Sequence, residues 1–125
     1  MLTSAKAVPY CHSQFRAIES LRRRLPEARV EVHPATAAAA GIGDGAAVEL
    51  ASPYGRVLVR ARLSAAIAEG VVCVDYGWEG EGNYAMLLGL DAMDPVSGSL
   101  PLRAGVCSLR PCPGGAVEPM QVAKI

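Results

Sequence analysis

Glycine and proline interrupt this chain so often that a long helix has nowhere to form. Pro26, Pro34, Gly41-Ile42-Gly43-Asp44-Gly45, Ser52-Pro53-Tyr54-Gly55, Glu69-Gly70, Gly77 to Gly82 and Asp94-Pro95-Val96-Ser97-Gly98 all carry turn chemistry. The runs between them are short. Arg29 to His33 alternates and reads as a strand. Ala47 to Ala51 reads as a second, with Val48 and Leu50 on one face. Arg56 to Leu63 is the longest: Arg56, Leu58, Arg60 and Arg62 share one face, and Val57, Val59, Ala61 and Leu63 the other, as in a half-buried hairpin strand. Val71 to Val74 is a short, wholly apolar strand, and Val106 to Arg110 a last one. Short strands with turns between them predict a mostly β fold, a barrel or sandwich with a few short helices.

Three helical segments are expected. Phe15, Ile18, Leu21 and Leu25 recur at three, three and four, with Ser13 as cap and Pro26 as stop. Glu19 stands four before Arg23, the favourable order for a helix ion pair. Ala35 to Ala40 forms a helical turn with Thr36 near its start and Gly41 as its stop, and Asn83 caps Tyr84 to Leu88. The first ten residues read as an extended lead-in, and residues 111–125 as a Pro/Gly-containing tail.

At 125 residues the chain reads as one domain, and 51% apolar side chains suffice for a core. Twelve basic residues balance twelve acidic ones, which argues against a nucleic-acid module. The balance is uneven along the chain. Residues 1–62 hold nine basic and five acidic side chains, a net of +4, and residues 63–125 hold three and seven, a net of −4. Part of the surface could therefore favour an anion, although scattered solvated charge gives the same count. No apolar run is long enough to span a membrane and no secretory signal is recognisable, so a soluble, cytoplasmic protein is the default expectation. Cys11, Cys73, Cys107 and Cys112 form no C-x-x-C pair and read as structural thiols. No nucleophile–base pair, phosphate loop or metal motif stands out. Gly41 to Gly45 reads as a turn and His33 as a structural histidine.

An ordered set of segments carries more. His12-Ser13-Gln14-Phe15-Arg16 leads into Ser20-Leu21-Arg22-Arg23 and Pro26-Glu27. Val30-Glu31-Val32-His33-Pro34-Ala35-Thr36-Ala37 follows, then Gly41 to Gly45 and Val48 to Gly55. Ile67 to Val72, Tyr76-Gly77-Trp78, Asn83 with Leu87, and Asp94 to Gly98 complete the series. In this order the segments, from about Val8 to Arg110, resemble the C-terminal dinucleotide-binding domain of the molybdopterin oxidoreductases, the dimethyl-sulfoxide-reductase superfamily.

The resemblance implies a six-stranded double-psi β-barrel that grips molybdopterin guanine dinucleotide, with molybdenum or tungsten held by the complete enzyme. It implies cofactor contacts from His12, Ser13, Gln14, Phe15 and Arg16, and from Asn83 after the Gly-Trp loop. Arginine would fork onto phosphate or a pterin oxygen, and asparagine would offer both donor and acceptor. The plainer reading of the same residues is a helix cap with a solvated arginine, and a second cap at Asn83. Trp78 reads as packing beneath its loop. The resemblance assigns no catalytic residue and no metal ligand to this chain: the partners would be the remaining catalytic domains or a large subunit, and the chain is not expected to be active alone. The alternative is a non-enzymatic double-psi barrel adaptor that binds a protein partner. Tyr10, Phe15 and Trp78 are expected to be exposed where missing domains would sit.

Overall fold

The computed structural model describes residues 1–12 and 14–112. Along the chain lie β1 (Leu2–Lys6), α1 (Glu19–Arg22), β2 (Arg29–Val32), α2 (Pro34–Ala39), β3 (Ala47–Ser52), β4 (Gly55–Leu63), β5 (Val72–Tyr76) and β6 (Ser108–Pro111). Three short 3-10 turns, Gly80–Gly82, Tyr84–Leu87 and Leu90–Ala92, connect β5 to the last segment.

The six strands form one mixed sheet in the order β1-β5-β2-β4-β3-β6. β1 runs parallel to β5, and β2 parallel to β4; β2 with β5, β3 with β4, and β3 with β6 are antiparallel. Among the described residues the sheet is not closed into a barrel. The β3–β4 hairpin keeps its strict register from Ala47 opposite Arg60 to Ser52 opposite Gly55.

The core follows from the period-two pattern. Val30 and Val32 of β2, Val48 and Leu50 of β3, Val57 and Val59 of β4, and Val74 of β5 are all buried, joined by Leu2, Leu25 and Tyr84. Each such side chain contributes about 1.5–3 kcal/mol relative to exposure. Arg56 and Arg62 lie exposed on the opposite face of β4, with Arg60 half-buried, as the alternation requires.

Four expectations need correction. The lead-in is in fact strand β1: Leu2 to Lys6 ladder onto Val72 to Tyr76, and Leu2 also exchanges both backbone hydrogen bonds with Gly105. The first helix is a single turn, Glu19–Arg22, preceded by Ile18 with no side-chain cap. Phe15 stands at φ 69°, a left-handed value that breaks any helix begun before it. Phe15 and Ile18 are therefore exposed, while only Leu21 and Leu25 turn toward the core. The last strand is Ser108–Pro111, shifted from Val106–Arg110; Pro111, the first residue expected in the tail, pairs opposite Val48, and residues 113–125 lie outside the described residues. Tyr10 and Trp78 are buried, leaving Phe15 alone of the three aromatic residues exposed.

Other local readings hold. α2 starts at Pro34, where His33 Nδ1 accepts from the Ala35 N–H at 3.1 Å, so the histidine is structural. Glu19 and Arg23 form their ion pair on the exposed side of α1.

Candidate functional site

The segment from Tyr10 to Arg16 is a chain of tight turns. Gln14 N–H donates to the Cys11 carbonyl at 2.8 Å, and Ile18 N–H to that of Phe15 at 3.1 Å. His12 and Phe15 both have positive φ, 52° and 69°, so two non-glycine residues are held in a region they rarely occupy. The side chains of His12, Gln14 and Phe15 are exposed. The His12 ring lies 5.3 Å from that of Tyr76, tilted by 48°. Ser13 lies outside the described residues.

Arg16 is turned inward and is only 5% exposed. Its Nε donates to the Gly77 carbonyl at 2.8 Å, and its Nη2 to the carbonyls of His12 at 2.8 Å and Tyr76 at 3.2 Å. Its guanidinium carbon sits 4.0 Å from the Trp78 ring centre and 4.3 Å from that of Tyr10. Those two rings meet edge to face at 88° with centroids 5.7 Å apart. Burial pulls the Arg16 pKa below the usual guanidinium value, and Tyr10, Asp75 and Glu79 oppose that pull. The remaining terminal nitrogen, Nη1, is buried without an acceptor among the described residues, as is the indole Nε1 of Trp78. The solvated arginine of the plainer sequence reading is therefore a buried cation in an aromatic corner. Trp78 packs beneath its loop, as expected.

Asn83 is the cap of the Tyr84–Leu87 turn: its Oδ1 accepts from Ala85 N–H at 3.0 Å. The other half of the amide, the NH2, makes no hydrogen bond among the described residues. The loop ending at Asn83 begins at Gly77, where Arg16 binds, and a Cβ at Gly82 would stand 3.8 Å from that of Trp78. Arg16 thus joins the 12–16 segment to the start of the Asn83 loop. Asn83 itself makes no hydrogen bond to that segment among the described residues.

The arginine excess of the N-terminal half is largely spent within the fold. Arg60 clasps Glu27 through two bonds of 2.7 and 3.2 Å, Arg29 meets Asp75 at 3.3 Å, Arg62 meets Glu31 at 3.6 Å, and Arg56 lies 3.7 Å from Glu49. No sequence signal joined Tyr10 and Arg16 to Trp78, because Trp78 comes from a distant segment. Among the described residues no group of three His, Cys, Asp or Glu side chains could hold a metal ion, and no helix is long and apolar enough to cross a membrane.

Comparison with known proteins assigns the chain to a family. The family model described as the molydopterin dinucleotide binding domain matches residues 1–105. The assimilatory nitrate reductase catalytic subunit of Bacillus subtilis is 37% identical over 83 residues, covering 66% of this chain and 12% of that protein. The putative dimethyl sulfoxide reductase catalytic subunit of Halobacterium salinarum is 37% identical over 67 residues, covering 54% of this chain and 8% of that protein. Among solved structures, acetylene hydratase from Pelobacter acetylenicus superposes with a TM-score of 0.79 at 25% identity, over 89% of this chain and 18% of that one. The chain therefore spans about an eighth or less of the curated relatives named here. The matched family is that of a cofactor-binding domain, not of an adaptor, and from residue 1 to residue 105 this chain belongs to the molybdopterin dinucleotide-binding domain family of the molybdenum oxidoreductases.

Proposed function

We propose that this chain forms one wall of the site for molybdopterin guanine dinucleotide in a molybdenum or tungsten oxidoreductase, while other domains of the same enzyme supply the metal ligand and the substrate site. The observation that carries the reading is the exposed side chains of His12, Gln14 and Phe15, on a segment tied by Arg16 to the loop that ends at Asn83. The residues present fit such a ligand. His12 and Gln14 offer polar side chains at the surface, and Asn83 keeps its NH2 donors unused by the cap. When bound, the cofactor supplies the redox-active metal centre; the chain binds and orients it.

The parallel pairs β1–β5 and β2–β4, separated by an antiparallel β2–β5 pair, support reading the sheet as a double-psi barrel. The exposed apolar residues Tyr54, Met86, Leu90 and Val106 support a face toward the remaining domains. The small share of each relative that the chain spans supports it too.

The test uses the enzyme that carries this chain. His12→Ala, Gln14→Ala and Asn83→Ala are made singly and together, and bound metal and acid-released nucleotide are measured per protein. One lost hydrogen bond is worth about 0.5–1.5 kcal/mol, so each single change should weaken retention roughly 2- to 12-fold, and the triple variant more. Full retention in the triple variant would overturn the site, and release of a nucleotide other than guanine would overturn the guanine form.

A further inference from the structure

We propose that Arg16 is a positioning residue: its guanidinium, wedged against Trp78 and Tyr10, locks the segment that carries the exposed His12, Gln14 and Phe15 onto the Gly77 turn and acts on the ligand only through that segment. The inference rests on the reading of this segment as part of the cofactor wall.

Arginine is rarely buried unless it is paired, and here Nε and Nη2 are paired while Nη1 has no acceptor among the described residues. Here three of its hydrogen bonds go to backbone carbonyls of two separate segments, His12 on one side and Tyr76 and Gly77 on the other. A planar fork with Nε and Nη2 on one edge can reach both segments at once, while its central carbon stays over two aromatic rings. An ammonium has neither the fork nor the faces. The turn needs such a tie, because His12 and Phe15 sit at φ 52° and 69°, conformations that persist only when the surroundings impose them. Gly77 completes the lock from the other side. Its φ is 90°, and a Cβ there would lie 2.4 Å from the His12 carbonyl oxygen and 3.0 Å from Arg16 Nη2, so the two backbones approach too closely for any side chain.

Trp78 touches the guanidinium, so its emission reports the lock. The test compares Arg16→Lys and Gly77→Ala in the complete enzyme. It measures Trp78 emission, taken as the difference between each enzyme and its Trp78→Phe counterpart, amide exchange over residues 11–17, and bound cofactor in the holoenzyme. Arg16→Lys keeps the charge but loses the fork; Gly77→Ala leaves every exposed side chain of the turn and every charge unaltered. Both should shift Trp78 emission, speed exchange in the turn at least tenfold and lower cofactor content at least fivefold. A lysine variant that keeps its cofactor would overturn the inference, since charge alone would then suffice; one that loses it with emission and exchange unchanged would overturn it too, since Arg16 would then contact the ligand directly. So would Gly77→Ala with normal exchange. If Arg16→Lys fails to fold, Gly77→Ala carries the same three readouts. The cofactor-wall reading fails separately: it falls if the triple variant of His12, Gln14 and Asn83 keeps its cofactor, a result that leaves emission and exchange free to report the lock.

Discussion

Glu49 and Arg110 pair across the β3–β6 register, with Arg110 Nε 2.7 Å from Glu49 Oε1 and Glu49 only 3% exposed. Arg56 approaches the other carboxylate oxygen at 3.7 Å from the β4 side. A carboxylate in the sheet interior is held there by these two arginines, both largely exposed themselves. Removing one partner leaves a buried charge half-compensated.

Arg110→Ala should therefore destabilise the fold by about 1–3 kcal/mol, below the cost for a fully buried pair because Arg56 remains and water screens the site. A double-mutant cycle with Glu49→Gln, read by urea denaturation, should give a coupling of about 0.5–2 kcal/mol. Additive single effects would show that the two side chains act independently.

Tyr10 ties the first segment to the end of the α1 region, its hydroxyl donating to the Leu25 carbonyl at 2.6 Å. Tyr10→Phe should cost about 1–2 kcal/mol at neutral pH, because the buried carbonyl loses its donor. Burial raises the Tyr10 pKa above 10.0, with Arg16 and Arg22 opposing the shift. Its contribution is complete below pH 10 and is lost as pH rises through the higher folded value. Denaturant titrations at alkaline pH should show a shallower loss in Tyr10→Phe than in the unaltered protein. Tyr84, also raised by burial, keeps that loss from vanishing.

Asp75 on β5 carries a carboxyl raised above 3.8, chiefly by burial; Arg29 pulls the other way and Glu31 adds to the rise. The sign is that of an acid more easily kept neutral when folded: its contribution is greatest below pH 3.8 and declines as pH rises through the folded value. Asp75→Asn should therefore compare more favourably with the unaltered protein at pH 7 than at pH 3.5. Thermal unfolding across that range measures it. A comparison that worsens toward pH 7 would mean that the Arg29 pair outweighs burial.

Gly55 opens β4 where the Tyr84–Leu87 turn crosses it, and a Cβ there would lie 2.4 Å from the Met86 carbonyl oxygen. Gly55→Ala should force the turn outward and cost about 1–3 kcal/mol. Gly43→Ala is the matched control: no atom lies within 4 Å of its Cβ position and its φ is not left-handed, so the change should be neutral or stabilise by about 0.4–1 kcal/mol. Melting temperatures of the two variants should move in opposite directions, or that of Gly43→Ala should not move at all.

Much of the fold was legible in local pattern. The alternation from Arg56 to Leu63 assigned inward and outward faces to β4, Val48 and Leu50 fell inside, and Asn83 capped the turn that follows it. These succeed because period-two burial and capping depend on neighbours a few positions away. The order of segments was enough to identify the family.

What failed was long-range. Leu2 to Lys6 has one large apolar residue, and becomes a strand only because β5 offers a parallel edge and Gly105 pairs with Leu2 outside it. The stripe from Phe15 to Leu25 has helical spacing, yet the left-handed backbone at Phe15 limits the helix to one turn. Arg16 reads in sequence as a surface cation. Its burial is set by carbonyls 60 and 61 positions away and by rings at Tyr10 and Trp78. Sequence by itself determined which short segments extend, which faces they bury and which family they compose, because those depend on side-chain order. Only the tertiary structure decided where the cation goes and what holds the turn, because burial and hydrogen-bond partnership belong to segments that meet when the chain folds.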